Sequence, residues 1–452
     1  MKRVALAALA LVVPAAAQHE HCDHDHDPVT PAHAPVSPHH PDLKLPSHDD
    51  AWFHFHPFLS AAVAFGGSTS EKNYGLIQGG HAPIDDGFNL QGIEVGALME
   101  LGPYLSMMGV YNTFWDKYDG WDGELEELYA TVSLPAGVSV RAGQFFVPFG
   151  HENQTHLHDR EFVEPPISVI RLLGEEGLIT QGGDIGFIIP GIGEKTVFRF
   201  GYGQTRPHSH GMTREQRREF YEEALEHAGE DHDDHDEDHD DHDDHGDEDH
   251  DDHDHDDHDH GGHSHGFAGN GGIFDMEDAY LDDGYFFARL ESDVAGDYGF
   301  NLIGASIAAG QNGFERTTWV VGADAFGTFT VADRPAWWRT EAFYRYVDAI
   351  DNNGNPGSFD ECGIYAATGI RFHPSWTCAA RLEWASGDRA AGAERRWRAS
   401  TAVTHLSNLA PNADLHTRLQ YSYDDLGGYG NEHSVWLQFV LNIGTGCDGH
   451  VH

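Results

Sequence analysis

The chain has 452 residues, a formal net charge of −49, 53 glycines and only four cysteines. So acidic a surface repels polyanions, which excludes nucleic acid as a partner and favours cations. Cys22, Cys362, Cys378 and Cys447 are too scattered for a disulfide framework or a metal knuckle, and no apolar run of 18 residues lies beyond the opening segment, which excludes a helical membrane protein.

The opening MKRVALAALALVVPAAAQ is basic at Lys2 and Arg3, then apolar, and ends in small residues at Ala15 and Ala17. This is the pattern of a secretory signal, residues 1–17, cut after Ala17. The next segment, 18–51, is rich in His and Pro and is expected to be disordered. It begins QHEHCDHDHD, setting His19, His21, His24 and His26 among carboxylates, and continues through His33, His39, His40 and His48. Imidazole interleaved with carboxylate suits zinc and its first-row neighbours.

Residues 52–443 form a succession of segments about ten residues long that alternate apolar and polar side chains. Strands are expected near 52–66, 87–101, 104–115, 124–134, 137–146, 183–190, 195–204 and 284–293. The second half continues with 298–309, 317–330, 336–348, 361–372, 376–387, 397–407, 414–424 and 433–443. Connections at one rim are short, such as Gly102-Pro103 and Pro135-Ala136, while those at the other include 67–86, 147–182, 205–283 and 349–360. An even strand count with short turns on one side and long loops on the other predicts an all-β fold, a transmembrane antiparallel β-barrel of about 16 strands with long extracellular loops. The setting is then the bacterial outer membrane, with outer-membrane lipid and the barrel-assembly machinery as partners.

Trp52, Tyr104, Trp115, Trp319, Trp337, Trp338, Trp376 and Trp384 lie at strand ends and are expected in interfacial girdles. The expected inward faces carry Glu94, Glu100, Arg141, Arg289, Glu291, Arg339, Glu341, Arg345, Arg381, Glu383, His416 and Arg418. Mixed charge of this kind predicts a water-filled lumen. On the first strand His54 and His56 share a face, read here as structural.

In the loop 147–182, His151, His156 and His158 occur with Glu152, Asp159 and Glu161. Folded into the lumen, this loop would form a constriction with a metal way-station. Its glycines, Gly174, Gly177, Gly182 and Gly183, lack the Lys-Ser/Thr of a phosphate loop and read as turn residues. The loop 205–283 holds an expected helix at 213–229, followed by Glu230 to His265. These 36 residues contain 12 histidines, 20 Asp or Glu, and otherwise only Gly and Ser. With no apolar side chain to bury, the tract is expected to stay solvated and disordered. An acidic spacer would not require histidine. His232, His235, His239, His242, His245, His250, His253, His255, His258, His260, His263 and His265 are therefore candidate metal ligands.

The run GQFFVPFGHENQTHLHDREFVEPPISVIRLLGEEGLITQGGDIGFIIP (143–190), with WWRTEAFYRYVD (337–348) and SVWLQFVLNIG (434–444), resembles the bacterial zinc-regulated outer-membrane receptors or porins. That resemblance implies a porin of sixteen-strand type with histidine-rich insertions, made under zinc limitation. The TonB-dependent label often given to the family does not suit about 390 barrel residues, too few for a plug and about 22 strands. A short tail, 444–452, is expected in the periplasm and adds His450 and His452 as candidate ligands.

The expected function is a porin-like channel that captures divalent metal, zinc first among several, on its His/Asp-rich extracellular loop and passes it to the periplasm. A periplasmic zinc-binding protein is a candidate partner, and no organic cofactor is implied. One alternative is a diffusion porin whose loop only buffers metal. Another is an outer-membrane barrel enzyme, although neither Gly-x-Ser-x-Gly nor His-Glu-x-x-His occurs, so no enzyme is expected. The sequence leaves oligomeric state open.

Overall fold

The computed structural model describes residues 52–69, 81–83, 86–116, 120–191, 195–206, 277–296, 299–351, 354–387, 395–427 and 430–444. The expected signal segment, the N-terminal His/Pro segment, the helix at 213–229, the tract 230–265 and the tail beyond Gly444 lie outside these residues.

Sixteen antiparallel strands close into one barrel. The first eight are β1 (Phe53–Ser68), β2 (Gly87–Leu101), β3 (Leu105–Asp116), β4 (Gly120–Leu134), β5 (Val138–Phe146), β6 (Ile179–Ile189), β7 (Thr196–Thr205) and β8 (Leu281–Gly296). The second eight are β9 (Gly299–Asn312), β10 (Thr317–Val331), β11 (Arg334–Ile350), β12 (Pro356–His373), β13 (Trp376–Ala385), β14 (Arg396–Ala410), β15 (Ala413–Asp425) and β16 (Asn431–Gly444). Each strand pairs with its neighbours in sequence, and β1 closes on β16 from Phe58 opposite Gly444 to Ser68 opposite Ser434. The barrel's first and last strands therefore begin and end at one rim, while the β5–β6 and β7–β8 connections leave the other. One expected long loop is much shorter than 349–360: β11 and β12 go on pairing to Ile350 opposite Pro356, because Asp348, Ala349, Ser358 and Gly357 extend the ladder.

Side chains alternate in the sense opposite to a soluble domain. On β13, Arg381 is 1% exposed and Glu383 3%, whereas Leu382 between them is 60% exposed. On β15, Arg418 and Gln420 are likewise buried and Leu419 exposed. Water would disfavour each such apolar face, and hydrocarbon favours it. Trp52, Tyr104, Trp115, Trp338, Trp376 and Trp384 point outward as expected. Trp337 does not: its neighbour Trp338 takes the outer face, and Trp337 lies buried under the Arg339 guanidinium, 5.3 Å from its ring centroid.

The expectation of an open, water-lined lumen needs correction at the level of the β5–β6 loop. This loop enters the barrel and carries two short 3₁₀ turns, Glu152–Gln154 and Leu157–Asp159, and the helix α1, Ile167–Leu173. Pro165 and Pro166 precede the helix, where a missing N–H costs nothing, and Gly174 at φ 116° ends it. Phe149, Phe162, Leu172 and Leu173 of the loop pack on Phe287, Phe326, Phe343 and Tyr365 of the wall. Each such buried side chain contributes about 1.5–3 kcal/mol. The wall charges at this level bind the loop, not water alone. Loop amides of Glu152, Val163 and Ile167 donate to Glu341, Gln420 and Glu383 at 2.8, 2.8 and 2.6 Å.

Candidate metal centre

The loop is braced at its neck. Val147 N–H donates to Leu178 O at 2.9 Å, and Asn153 bonds Val147 O, Leu178 O and Leu178 N at 2.7–3.1 Å. This fixes the start of the loop, and the 3₁₀ turn Leu157–Asp159 that follows sets His156 and His158 against β2 and β4. His156 Nδ1 lies 3.2 Å from Glu126 Oε2, and its Nε2 lies 3.1 Å from Glu127 Oε2. His158 Nδ1 is 2.5 Å from Glu94 Oε2. The two imidazoles stack at 5.6 Å, with Phe146 edge-on to one and Phe58 beside the other.

A third histidine arrives from the β1–β2 connection. His81 holds a left-handed backbone at φ 63°, a conformation that costs a non-glycine residue about 1–2 kcal/mol. Gln91 secures it, since Gln91 Nε2 donates to His81 O at 2.7 Å and His81 Nδ1 lies 3.0 Å from Gln91 O. The result aims Nε2 at Glu124 Oε1 and Glu126 Oε1, 3.3 and 3.4 Å away. Asn112 Nδ2 sits 3.1 Å from both His81 Nε2 and Glu126 Oε1.

Three acids on one short stretch of β4 face the lumen because the strand bulges. Val110 opposes Glu127 while Tyr111 opposes Leu125, so Glu126 is the extra residue and both Glu126 and Glu127 turn inward. Glu124 shares the face of Glu126 by ordinary alternation. A second bulge on β2, at Gln91, places the side chain that holds His81.

Burial by itself would lower the pKa of each imidazole, yet the acids outweigh it. Hydrogen bonds and charge from Glu124 and Glu126 push His81 up to about 9. The charges of Asp159 and Glu94 push His158 to about 9, and Glu126 and Glu127 hold His156 well above its ordinary value. Two groups of three donors lie close enough for one ion each: His81, Glu124 and Glu126, and Glu94, Glu126 and His156. The chemistry open to such a set is exchange of protons for a divalent cation.

Of the histidines singled out in the sequence, the structure brings His156 and His158 together on the acids. His151 instead stacks flat on Phe326 at 5.6 Å. His54 and His56 stack on each other near the periplasmic rim, with His56 Nε2 3.9 Å from Glu100. The tract and N-terminal histidines lie outside the described residues. His81, Glu124, Glu126 and Glu127 were not foreseen as a site. The break of alternation in Glu124-Leu125-Glu126-Glu127-Leu128 is the signal that would have revealed the bulge.

The opposite wall is built differently. Arg345 pairs with Glu361, which Arg171 of α1 also meets at 3.1 Å. Arg381 binds Glu383 at 2.6 Å, Arg396 and Arg398 bind Asp424 at 2.8 and 2.9 Å, and Arg398 also reaches Glu164 at 3.0 Å. Arg339 joins Glu161 and Glu152 at 2.8 and 3.2 Å.

No family model matches the chain, and no curated protein matches it. Among solved structures, it is similar to the outer membrane channel DcaP of Acinetobacter baumannii, at TM-score 0.50 and 9% identity, over 87% of this chain and 97% of that one. The fold is that of an outer-membrane channel. An anion-selective porin from Comamonas acidovorans follows at TM-score 0.47 and 10% identity, covering 87% and 99% of the two chains. OpdK of Pseudomonas aeruginosa, solved with vanillate, gives 0.45 and 9%, over 86% and 99%. With its lipid-facing apolar band, the barrel resides in the bacterial outer membrane.

Proposed function

We propose that this barrel is a channel that admits divalent transition-metal ions, zinc foremost, to the periplasm. The observation that carries the reading is the cluster of half-buried His81 and buried His156 and His158 against the buried acids Glu94, Glu124, Glu126 and Glu127. A general porin has no need of three histidines on a carboxylate wall. Nitrogen with oxygen donors, and no thiolate among them, suits Zn²⁺ and its neighbours. Affinity order alone would favour Cu²⁺, so zinc rests on the family resemblance and on availability. The tract 230–265 would concentrate ions at the mouth, and the cluster would pass them inward by ligand exchange.

The reading makes the chain a conduit and not an enzyme. It is tested in liposomes that hold the full-length protein and an internal zinc-sensitive dye. Zinc entry should exceed calcium entry and fall at least tenfold with His156→Ala plus His158→Ala. Equal entry of both ions, or no effect of the double substitution, would leave the diffusion porin with a metal-buffering loop as the better account. Ester or peptide turnover by the same preparation would instead favour the enzyme.

A further inference from the structure

We propose that the lumenal cluster is a paired-ion site, in which the carboxylate of Glu126 bridges one divalent cation held with His81 and Glu124 and a second held with Glu94 and His156. The inference rests on the metal-channel reading for the identity of the ion, and deepens it by naming the residues that hold it.

The geometry divides one carboxylate between two donor sets. Glu126 Oε1 faces His81 Nε2 at 3.4 Å, with Glu124 Oε1 3.3 Å from the same nitrogen. Glu126 Oε2 faces His156 Nδ1 at 3.2 Å, with Glu94 Oε1 3.9 Å from that nitrogen. Zinc bonds of about 2.0–2.1 Å in a tetrahedron set ligand atoms about 3.4 Å apart. Both triads therefore already stand near the edges of a coordination tetrahedron, and within each all donors lie inside 4.8 Å.

Two buried atoms support the same assignment independently. Glu94 Oε1 has no hydrogen-bond partner although the residue is 1% exposed, and it lies 3.9 Å from His156 Nδ1. Asn112 Oδ1 is also unpartnered, on a residue that is 0% exposed. A half-turn of that amide exchanges its nitrogen for an oxygen facing His81 Nε2 and Glu126 Oε1, which supplies a fourth donor to the first triad. Buried oxygens left unsatisfied are destabilising unless something binds them.

Charge points the same way. Glu94, Glu124, Glu126 and Glu127 bring four negative charges into one buried patch. Arg206 reaches Glu124 at 2.8 Å but also pairs with Glu176. Two divalent ions, with the histidines neutral, would neutralise these carboxylates more fully than Arg206 and Arg160, whose charge also reaches Glu94 and Glu126. They would also tie the segment around His81 and the loop around His156 to a common wall residue.

The test uses full-length protein crystallised with zinc chloride, with diffraction recorded on both sides of the zinc absorption edge. Two anomalous peaks are expected, one on each side of Glu126. Glu126→Gln should remove both and lower bound zinc by two ions per barrel in equilibrium dialysis. His81→Ala should remove one peak and leave the other, and His156→Gln should do the reverse. If Glu126→Gln barrels fail to assemble, as judged by heat-modifiable gel migration, the two histidine variants carry the test. A single peak, no lumenal peak, or peaks unchanged by these substitutions would overturn the paired site. Zinc entry into liposomes without lumenal peaks defeats the site and spares the channel reading, and peaks without entry do the opposite.

Discussion

The wall made by β2 to β4 and the wall made by β11 to β15 both bury carboxylates, and they neutralise them with different partners. On β11 to β15 the acids Glu361, Glu383 and Asp424 meet arginines, whose charge is permanent at any pH a cell experiences. On β2 to β4 the acids Glu94, Glu126 and Glu127 meet histidines, which can give up a proton and then bind metal. The first arrangement is a fixed clamp on the inserted loop, where Arg381 also donates to Glu164 O at 3.0 Å. The second is exchangeable. Under the proposed metal reading, one lumen separates the task of holding the loop from that of handling cations.

The sharpest way to break this comparison is to remove a member of the clamp. Arg398 answers both Asp424 and Glu164, so Arg398→Ala leaves two buried carboxylates short of a partner. Loss of one member of a buried pair costs about 3–5 kcal/mol. Urea unfolding of the folded barrel in detergent should show a fall of that size, with zinc present or absent. If Arg398→Ala proved as mild as a surface change, the clamp would not be holding the loop.

Zinc should act on the other wall alone. A ligand at about 100 times its dissociation constant stabilises the folded state by about 2.7 kcal/mol per site. Wild-type barrel and Arg398→Ala should both gain a stabilisation of this order, whereas Glu126→Gln should gain none. Thermal unfolding followed by circular dichroism measures it, and an equal gain in Glu126→Gln would place the effect elsewhere.

Proton competition gives an effect graded with pH. An ordinary solvated imidazole stops competing above about pH 6.5. His81, with its pKa raised to about 9, keeps its proton through neutrality, so zinc must displace it. Affinity at the lumenal site should rise about tenfold per pH unit for each displaced proton, up to about pH 9. The sign for metal-free protein is opposite. A raised histidine pKa contributes stability in full below about 6.5, and loses it as pH climbs through about 9. Calorimetric titration of zinc between pH 6.5 and 9 checks the first, and a lumenal affinity that levels off near 6.5 would contradict it.

Much of the barrel was legible because alternation and loop length are one-dimensional signals. Leu419 between Arg418 and Gln420, or Leu382 between Arg381 and Glu383, states which side faces lipid once a barrel is assumed. The entry of loop 147–182 into the lumen was anticipated from its length and its histidines. What was not legible depended on partners distant in sequence. His81 and Glu126 meet only because the chain between them folds back and a bulge turns Glu126 and Glu127 both inward, and the adjacent acids that mark the bulge do not say which residue they will face. Trp337 and Trp338 show the same limit at the other wall, since only register decides which of two adjacent tryptophans faces out. The packing of Phe149 and Phe162 inside the barrel was hidden because an apolar loop residue carries no mark of what will cover it.

The smallest expected effect belongs to the tract, and it tests whether capture and passage are separate steps. Residues 230–265 offer 12 histidines and 20 carboxylates but no apolar side chain, so under the proposed capture each ion would bear the cost of ordering its own few ligands. That cost would lower affinity per ion and speed release, which suits delivery better than storage. Deleting 230–265 removes no strand of the barrel and none of the donors in the two triads. Assembly, conductance in planar bilayers and the lumenal zinc should therefore survive. Zinc uptake should fall only when external zinc is scarce, because abundant ions need no local concentration at the mouth. Uptake that fell equally at high zinc would show the tract to be part of the path itself, and capture and passage to be one step.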